Sequence, residues 1–218
     1  MRSQSLRHHL LLLLFAAAAA LSSLHRVSAG GGDEGSAPAP SYDGDAEFIR
    51  SSCNSTLYPD VCYTSLSRYA NAVQQKPGQL ARVAIAVSLA KVHRAASHLS
   101  NLTRDADYAG SSRASLALRD CFSNLGDAAD EIRGSLKQMR EIGGSSSSSS
   151  SSSFLFQMSN VQTWMSAALT DEETCTDGFQ DVAECPVKTD VCDRVSSVKK
   201  FTSNALALVN SYANKGMP

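Results

Sequence analysis

Histidine is scarce and tryptophan is down to a single residue: the 218-residue chain holds five His and one Trp, and aromatics make up 6 % of it. Three of the five histidines, His8, His9 and His25, fall in the first 29 residues. The other two, His93 and His98, are five apart, about 500° around a helix, so they do not share a face as metal ligands four apart would. Both read as surface residues. No His-Glu-x-x-His, no Gly-x-Ser-x-Gly elbow and no phosphate-cradling glycine loop occurs. No catalytic residue, metal or cofactor is therefore expected, and a binding protein is favoured over an enzyme. Charge is also lacking: 20 Lys+Arg stand against 21 Asp+Glu, which leaves no electrostatic footprint for nucleic acid or an anionic membrane. Alternation with period two is missing over any useful length, so no sheet is predicted.

Long apolar runs are missing too, apart from one at the start. Arg2, Arg7, His8 and His9 precede the run Leu10–Leu21, and Val27-Ser28-Ala29 follows with small residues at the third and first positions before a cut. This is the pattern of a secretory signal peptide over 1–29. The run is too short for a membrane span, which takes about 20 residues, so no membrane is expected in the mature form. Arg2, Arg7 and Arg26 leave with the signal, and the net charge of −1 becomes about −4. Residues 30–45 are rich in Gly, Pro and Ala and read as a disordered leader. Folding is expected to start near Ala46, and 46–214 is one domain's worth of chain.

Within that domain apolar residues recur with helical spacing in four stretches. They are Ile85, Leu89, Val92, Ala96 and Leu99; Leu118, Cys121, Leu125, Ala128 and Ile132; Leu155, Met158, Met165 and Leu169, with Gln162 breaking the register; and Val191, Val195, Val198, Thr202, Ala205, Val209 and Tyr212. Breaks fall at Pro77-Gly78, at 105–110, at Gly143-Gly144 with the serine tract Ser145–Ser153, and at Pro186. Polyserine has nothing to bury and is predicted to be a loop. The fold class predicted is all-α: an antiparallel up-down four-helix bundle, preceded by a short helical hairpin around Tyr58-Pro59-Asp60 and stapled by disulfides. The run Asp171, Glu172 and Glu173 reads as a solvated helix end.

Six cysteines in an exported chain point to disulfides. Two short helices folded back on each other fit a Cys53–Cys62 bridge. Antiparallel neighbours bring Cys121, on the second helix, to Cys175 at the end of the third. Cys185 and Cys192 remain as a candidate further pair across the Pro186 bend, or as two free thiols. Asn54-Ser55-Thr56 and Asn101-Leu102-Thr103 are acceptor sequons for N-glycans at Asn54 and Asn101.

Four segments together resemble the plant invertase/pectin methylesterase inhibitor family, over about Glu47 to Ala213. The first is Cys53-Asn-Ser-Thr-Leu-Tyr-Pro-Asp-Val-Cys62. The second is Ala117-Leu-Arg-Asp-Cys121 followed by Asp127-Ala-Ala-Asp-Glu131. The third is Val161-Gln-Thr-Trp-Met-Ser-Ala-Ala-Leu-Thr170 running into Thr174-Cys-Thr-Asp-Gly-Phe179, and the fourth is Thr202-Ser-Asn-Ala-Leu-Ala-Leu-Val-Asn210. The resemblance implies a helical hairpin before a four-helix bundle, with the first cysteine joined to the second and the third to the fourth. It implies a secreted inhibitor of the apoplast and cell wall that covers its target's active-site cleft in a one-to-one, noncovalent complex.

The family's targets are pectin methylesterase and invertase. Inhibitors of cell-wall invertase can carry a Pro-Lys-Phe element, which this sequence lacks. The third and fourth segments look like those of pectin methylesterase inhibitors and of the pro-regions of pectin methylesterases. No catalytic domain follows Pro218, so a stand-alone inhibitor of pectin methylesterase is the expectation, with invertase the alternative partner. The second and third bundle helices would supply much of the contact surface, with Asp120, Asp127, Asp130, Thr174 and Asp177 as candidate contacts. Thr174 and Asp177 serve equally well as braces of the helix around Cys175.

Overall fold

A computed structural model describes residues 42–106, 112–144 and 151–216. The expected signal peptide, the leader up to residue 41 and Ser145–Ser150 lie outside the described residues. Among the described residues seven α-helices follow one another: α1 (Tyr42–Cys53), α2 (Pro59–Leu66), α3 (Ala70–Val73), α4 (Pro77–Ala106), α5 (Arg113–Gly144), α6 (Ser151–Asp177) and α7 (Pro186–Lys215). A single 3₁₀ turn, Ser67–Tyr69, joins α2 to α3. Among the described residues there is no strand.

The four long helices have 30, 32, 27 and 30 residues, each about 40–48 Å long at 1.5 Å per residue. Each packs on its chain neighbours, and α4 closes the ring against α7. This is the up-down-up-down bundle that short connections dictate. α1 packs on α2, α3 and α7, and α2 on α4 and α7, so the hairpin lies over the seam between the first and last bundle helices.

Helix starts follow local chemistry. α2 and α7 both begin at a proline, whose fixed φ suits the first turn and whose missing N–H has no helical partner to lose. Pro77 likewise opens α4 rather than preceding it, and Gly78 sits inside the first turn. There the Tyr212 ring closes on the backbone: a Cβ at Gly78 would fall 2.9 Å from Tyr212 Cζ. α1 begins at Tyr42, ahead of the expected start near Ala46. The turn after α3 uses two non-glycine residues in the left-handed region, Gln74 at φ 50° and Gln75 at φ 55°, a conformation costing roughly 1–2 kcal/mol per residue. Gln75 Nε2 donates to Asp45 Oδ1 on α1 (2.9 Å), which ties this turn to the hairpin.

Three of the four predicted seams lie at the centre of the bundle. Ile85, Val92 and Leu99, then Leu118, Cys121, Leu125, Ala128 and Ile132, then Val191, Val195, Val198, Thr202, Ala205 and Val209, are all buried, while Leu89, Ala96 and Tyr212 of the predicted seams are half-buried and pack against this core. The third seam differs. The buried residues of α6 are Phe154, Met158, Val161, Met165, Ala168, Glu172 and Cys175, an unbroken 4-3-4-3-4-3 ladder. Leu155 is on the outside, and Gln162 does not break the register but flanks it, donating to Asn210 Oδ1 at 2.9 Å. The serine tract differs as well: its last three residues form the first turn of α6.

Cys53–Cys62 ties α1 to α2, and Cys121–Cys175 ties α5 to α6. Cys185 and Cys192 are free thiols, both half-buried. Cys185 is the extended N-cap residue of α7 and Cys192 lies in its second turn, so the proline-initiated helix carries the two along its axis and the further bridge does not form.

Candidate functional site

The face shared by α5 and α6 begins with their covalent tie. Cys121 stands in the third turn of α5 and Cys175 in the last turn of α6, both buried. Outward from this bridge the sequence places acidic and hydroxyl residues. Asp120, Asp127 and Asp130 on α5 and Thr174 and Asp177 on α6 are all exposed. Three of the five are held by neighbours in the chain. Asp130 pairs with Arg133, whose other nitrogen lies 3.3 Å from His93 Nε2 on α4. Thr174 Oγ1 donates to the Thr170 carbonyl (2.9 Å), and Asp177 Oδ1 accepts from Gln180 Nε2 (3.0 Å). Bracing is thus present for Thr174 and Asp177, while their exposure leaves further hydrogen-bonding capacity open to solvent.

Between these residues lies a carboxyl pair that the sequence pattern did not single out. Glu131 of α5 and Asp171 of α6 share a hydrogen bond, and Asp127 adds its charge from one turn away. Burial first, then the charge and hydrogen bond of Asp171, push the Glu131 carboxyl up to about 7. Asp171 is also raised, chiefly by burial. Like charges this close resist joint ionisation, so the pair holds a proton to higher pH than an isolated carboxylate does. Farther along, Trp164 lies over Gly134, where a Cβ would meet the indole at 3.4 Å.

Directly behind Asp171 the charge run turns inward. Glu172 is fully buried, not solvated. Its Oε1 accepts from Thr202 Oγ1 on α7 (2.6 Å), and Thr202 is in turn 2.8 Å from Ser88 Oγ on α4. Oε2 has no partner among the described residues. Burial raises this carboxyl to about 8, so it carries its proton at neutral pH and spans the core as a neutral group. Asp171 is half-buried and Glu173 is exposed, the latter paired with Lys199 Nζ at 3.1 Å.

Other predicted positions serve the frame. His98 is half-buried rather than a free surface residue: Nε2 lies 2.5 Å from Asp190 Oδ2, joining α4 to α7. Burial raises the Asp190 carboxyl, but hydrogen bonds from His98 and Arg194 outweigh it and hold the group below the usual range. Asn54 and Asn101 are both exposed. Among the described residues no cluster of three His, Cys, Asp or Glu is placed to hold a metal ion, and no helix is long and apolar enough to cross a membrane.

The sequence profile of the plant invertase/pectin methylesterase inhibitor family matches residues 47–208. The chain belongs to this family. It is therefore a member of a family of inhibitors rather than enzymes. The chain is 40 % identical over 171 residues to the 21 kDa protein of Daucus carota, covering 78 % of this chain and 85 % of that one. It is 39 % identical over 184 residues to pectinesterase inhibitor 9 of Arabidopsis thaliana, covering 84 % and 88 %, and 39 % identical over 181 residues to pectinesterase inhibitor 3 of the same plant, covering 81 % and 85 %. In fold it is similar to the crystal structure of a mutant form of a pectin methylesterase inhibitor from Arabidopsis, with a TM-score of 0.56 at 18 % identity over 72 % of this chain and 92 % of that one.

The family's fourth segment now has a physical account. Thr202 anchors the buried network with Glu172 and Ser88. Asn204, also buried, receives the Tyr58 N–H at 3.1 Å and donates to the Tyr58 carbonyl at 2.9 Å, clamping the hairpin turn to α7. Asn210 receives Gln162. Spacing alone could have found Glu172, which falls four residues after Ala168 and three before Cys175. The Asn204 clamp left no signal in the pattern, because its partner is backbone.

Proposed function

We propose that the protein is a secreted inhibitor of plant pectin methylesterase, acting in the cell wall by lying noncovalently, one to one, across the enzyme's active-site cleft through the α5–α6 face. The observation that carries this reading is the similarity, over 81–88 % of each chain, to two proteins named as pectinesterase inhibitors at 39 % identity. Asp120, Asp127, Asp130, Thr174 and Asp177 are the proposed contacts. Their exposure along two helices joined by a disulfide supports this: a surface held in place before binding avoids the ordering cost of assembling it afterwards. The mechanism asks for no chemistry from the inhibitor. A rigid rod of acidic and hydroxyl groups excludes the polysaccharide from the cleft, and it leaves when the complex dissociates.

The test is release of methanol from esterified pectin by purified plant pectin methylesterases between pH 5 and 7.5, with and without the protein. Concentration-dependent loss of release is expected. Sucrose hydrolysis by cell-wall and vacuolar invertases, run beside it, is expected to continue unchanged. The opposite pattern, invertase blocked and methylesterase untouched, would reassign the target.

A further inference from the structure

At the end of the bundle away from the Cys121–Cys175 bridge, the first turn of α4, the last turns of α5 and the C-terminus of α7 enclose a cleft of about 490 Å³. That volume lies within the range of small-molecule sites. We propose that this cleft binds an acidic sugar, a hexuronate or a short uronate oligomer, through its carboxylate, its hydroxyls and one apolar ring face.

Charge is the first argument. Lys76, Arg82 and Lys215 line the cleft, and no carboxylate lines it among the described residues. Neither Arg82 nor Lys215 has an ion-pair or hydrogen-bond partner there. On a chain whose acidic and basic residues otherwise nearly balance, three cations around one concavity that no described carboxylate lines attract an anion. The guanidinium of Arg82 presents the fork that matches a carboxylate in two parallel hydrogen bonds.

A bare anion does not account for the remaining walls. Tyr212, Met139 and Ile142 give one side of the cleft an apolar surface. Tyr212 is held edge-on by Phe154, ring centroids 5.5 Å apart at 87°, and is seated against Gly78. A fixed aromatic ring beside aliphatic side chains suits a ligand with a C–H face. The amides of Gln75 and Gln79 also line the cleft, and Gln79 Oε1 is buried with no hydrogen-bond partner among the described residues. Side-chain amides on a cleft wall both donate and accept, as pairing with sugar hydroxyls requires. A carboxylate, a row of hydroxyls and a C–H face occur together in a hexuronate.

The cleft is separate from the proposed inhibitory face. Met139 is nine residues beyond Asp130 on α5, about 14 Å along the helix, and 19 residues beyond Asp120, about 28 Å. The inference therefore stands whichever enzyme the chain inhibits. Pectin's backbone is itself a uronate polymer, and removal of its methyl esters uncovers the carboxylates this cleft would take.

The experiment is a titration of the ¹⁵N-labelled protein followed by amide chemical shifts, with trigalacturonate, neutral cellotriose and citrate as separate probes. Trigalacturonate is expected to shift Gln75–Gln79 and Tyr212–Gly216 saturably, and cellotriose to leave them in place. The double variant Arg82→Gln, Lys215→Gln is expected to weaken binding at least tenfold with an unchanged thermal melt. Gly78→Ala, which pushes the Tyr212 ring from its seat, is expected to weaken it while retaining the fold. Equal shifts with cellotriose, binding of citrate as tight as of trigalacturonate, no shift with trigalacturonate, or full affinity in the double charge variant would each overturn the proposal.

Discussion

Thr202 on α7 donates a 2.6 Å hydrogen bond to Glu172 on α6, so that the one carboxyl in the bundle's central ladder is held by a residue from the facing helix. The relation carries a pH dependence. Glu172 binds its proton more tightly folded than unfolded, at about 8 against 4.5. Its contribution to stability is fully present below about 4.5 and is lost as pH rises through 8. Lys199 opposes the shift and Asp171 adds to it. Glu131, at about 7, works in the same direction. Asp190, whose carboxyl is lowered, works the other way, but only at strongly acid pH. The thermal midpoint should therefore fall between pH 5 and pH 8. Glu172→Gln, a neutral mimic of the protonated form, should match the parent near pH 4 and exceed it at pH 8 by about 1 kcal/mol or more, roughly 3 °C. A melt that is flat over this range in the parent would contradict it.

The hairpin clamp gives a second expectation. Asn204→Ala leaves the Tyr58 N–H without its partner and takes one of two donors from the Tyr58 carbonyl, which keeps the Cys62 N–H at 2.9 Å; the orphaned half-buried N–H costs about 1–3 kcal/mol. Hydrogen exchange should show the Tyr58 region loosening before the bundle does. Asn204→Asp keeps an acceptor for the N–H but loses the donor, and should fall between parent and alanine.

Removing the bridge between α5 and α6 should harm both stability and inhibition. Cys121 and Cys175 are 54 residues apart, and closing a loop of that length is worth about 4 kcal/mol in the chain-entropy model. Cys121→Ser with Cys175→Ser should lower the melting temperature and weaken inhibition together. Deleting two or three residues within 145–150 should change neither.

Charge removal on the proposed face separates contact from bracing. Asp120→Asn with Asp127→Asn should weaken inhibition at least tenfold while leaving the melt within about 0.5 kcal/mol, as for exposed substitutions generally. Inhibition at full strength would move the contact surface elsewhere. Asp130→Asn also frees Arg133, so its effect is read against Arg133→Gln.

Three of the four bundle seams could be read from the sequence because their core positions are apolar, or small like Thr202, and keep the helical period. The seam of α6 could not, for two identifiable reasons. Glu172 occupies a core position with a residue that is solvated in most proteins, and Leu155 and Phe156 put large apolar groups outside the ladder. The pattern therefore pointed one residue away from the true stripe at both ends. The candidate face was legible as a set of residues, since Asp120, Asp127 and Asp130 fall on the outside of a well-marked helix. The Glu131–Asp171 pair was not, because it depends on how two helices are set against each other, which no spacing within either helix encodes.

The serine tract and the Cys121–Cys175 bridge lie toward opposite ends of the same pair of helices. Together they make a closed covalent ring of chain in which either connection alone holds α5 to α6. A protease that cut between residues 144 and 151 would thus release nothing. The nicked protein would run as one species on a gel without reductant and as two fragments with it, and its bundle would still be assembled, since the register of the two helices is fixed by sulfur at one end whether or not the peptide is continuous at the other.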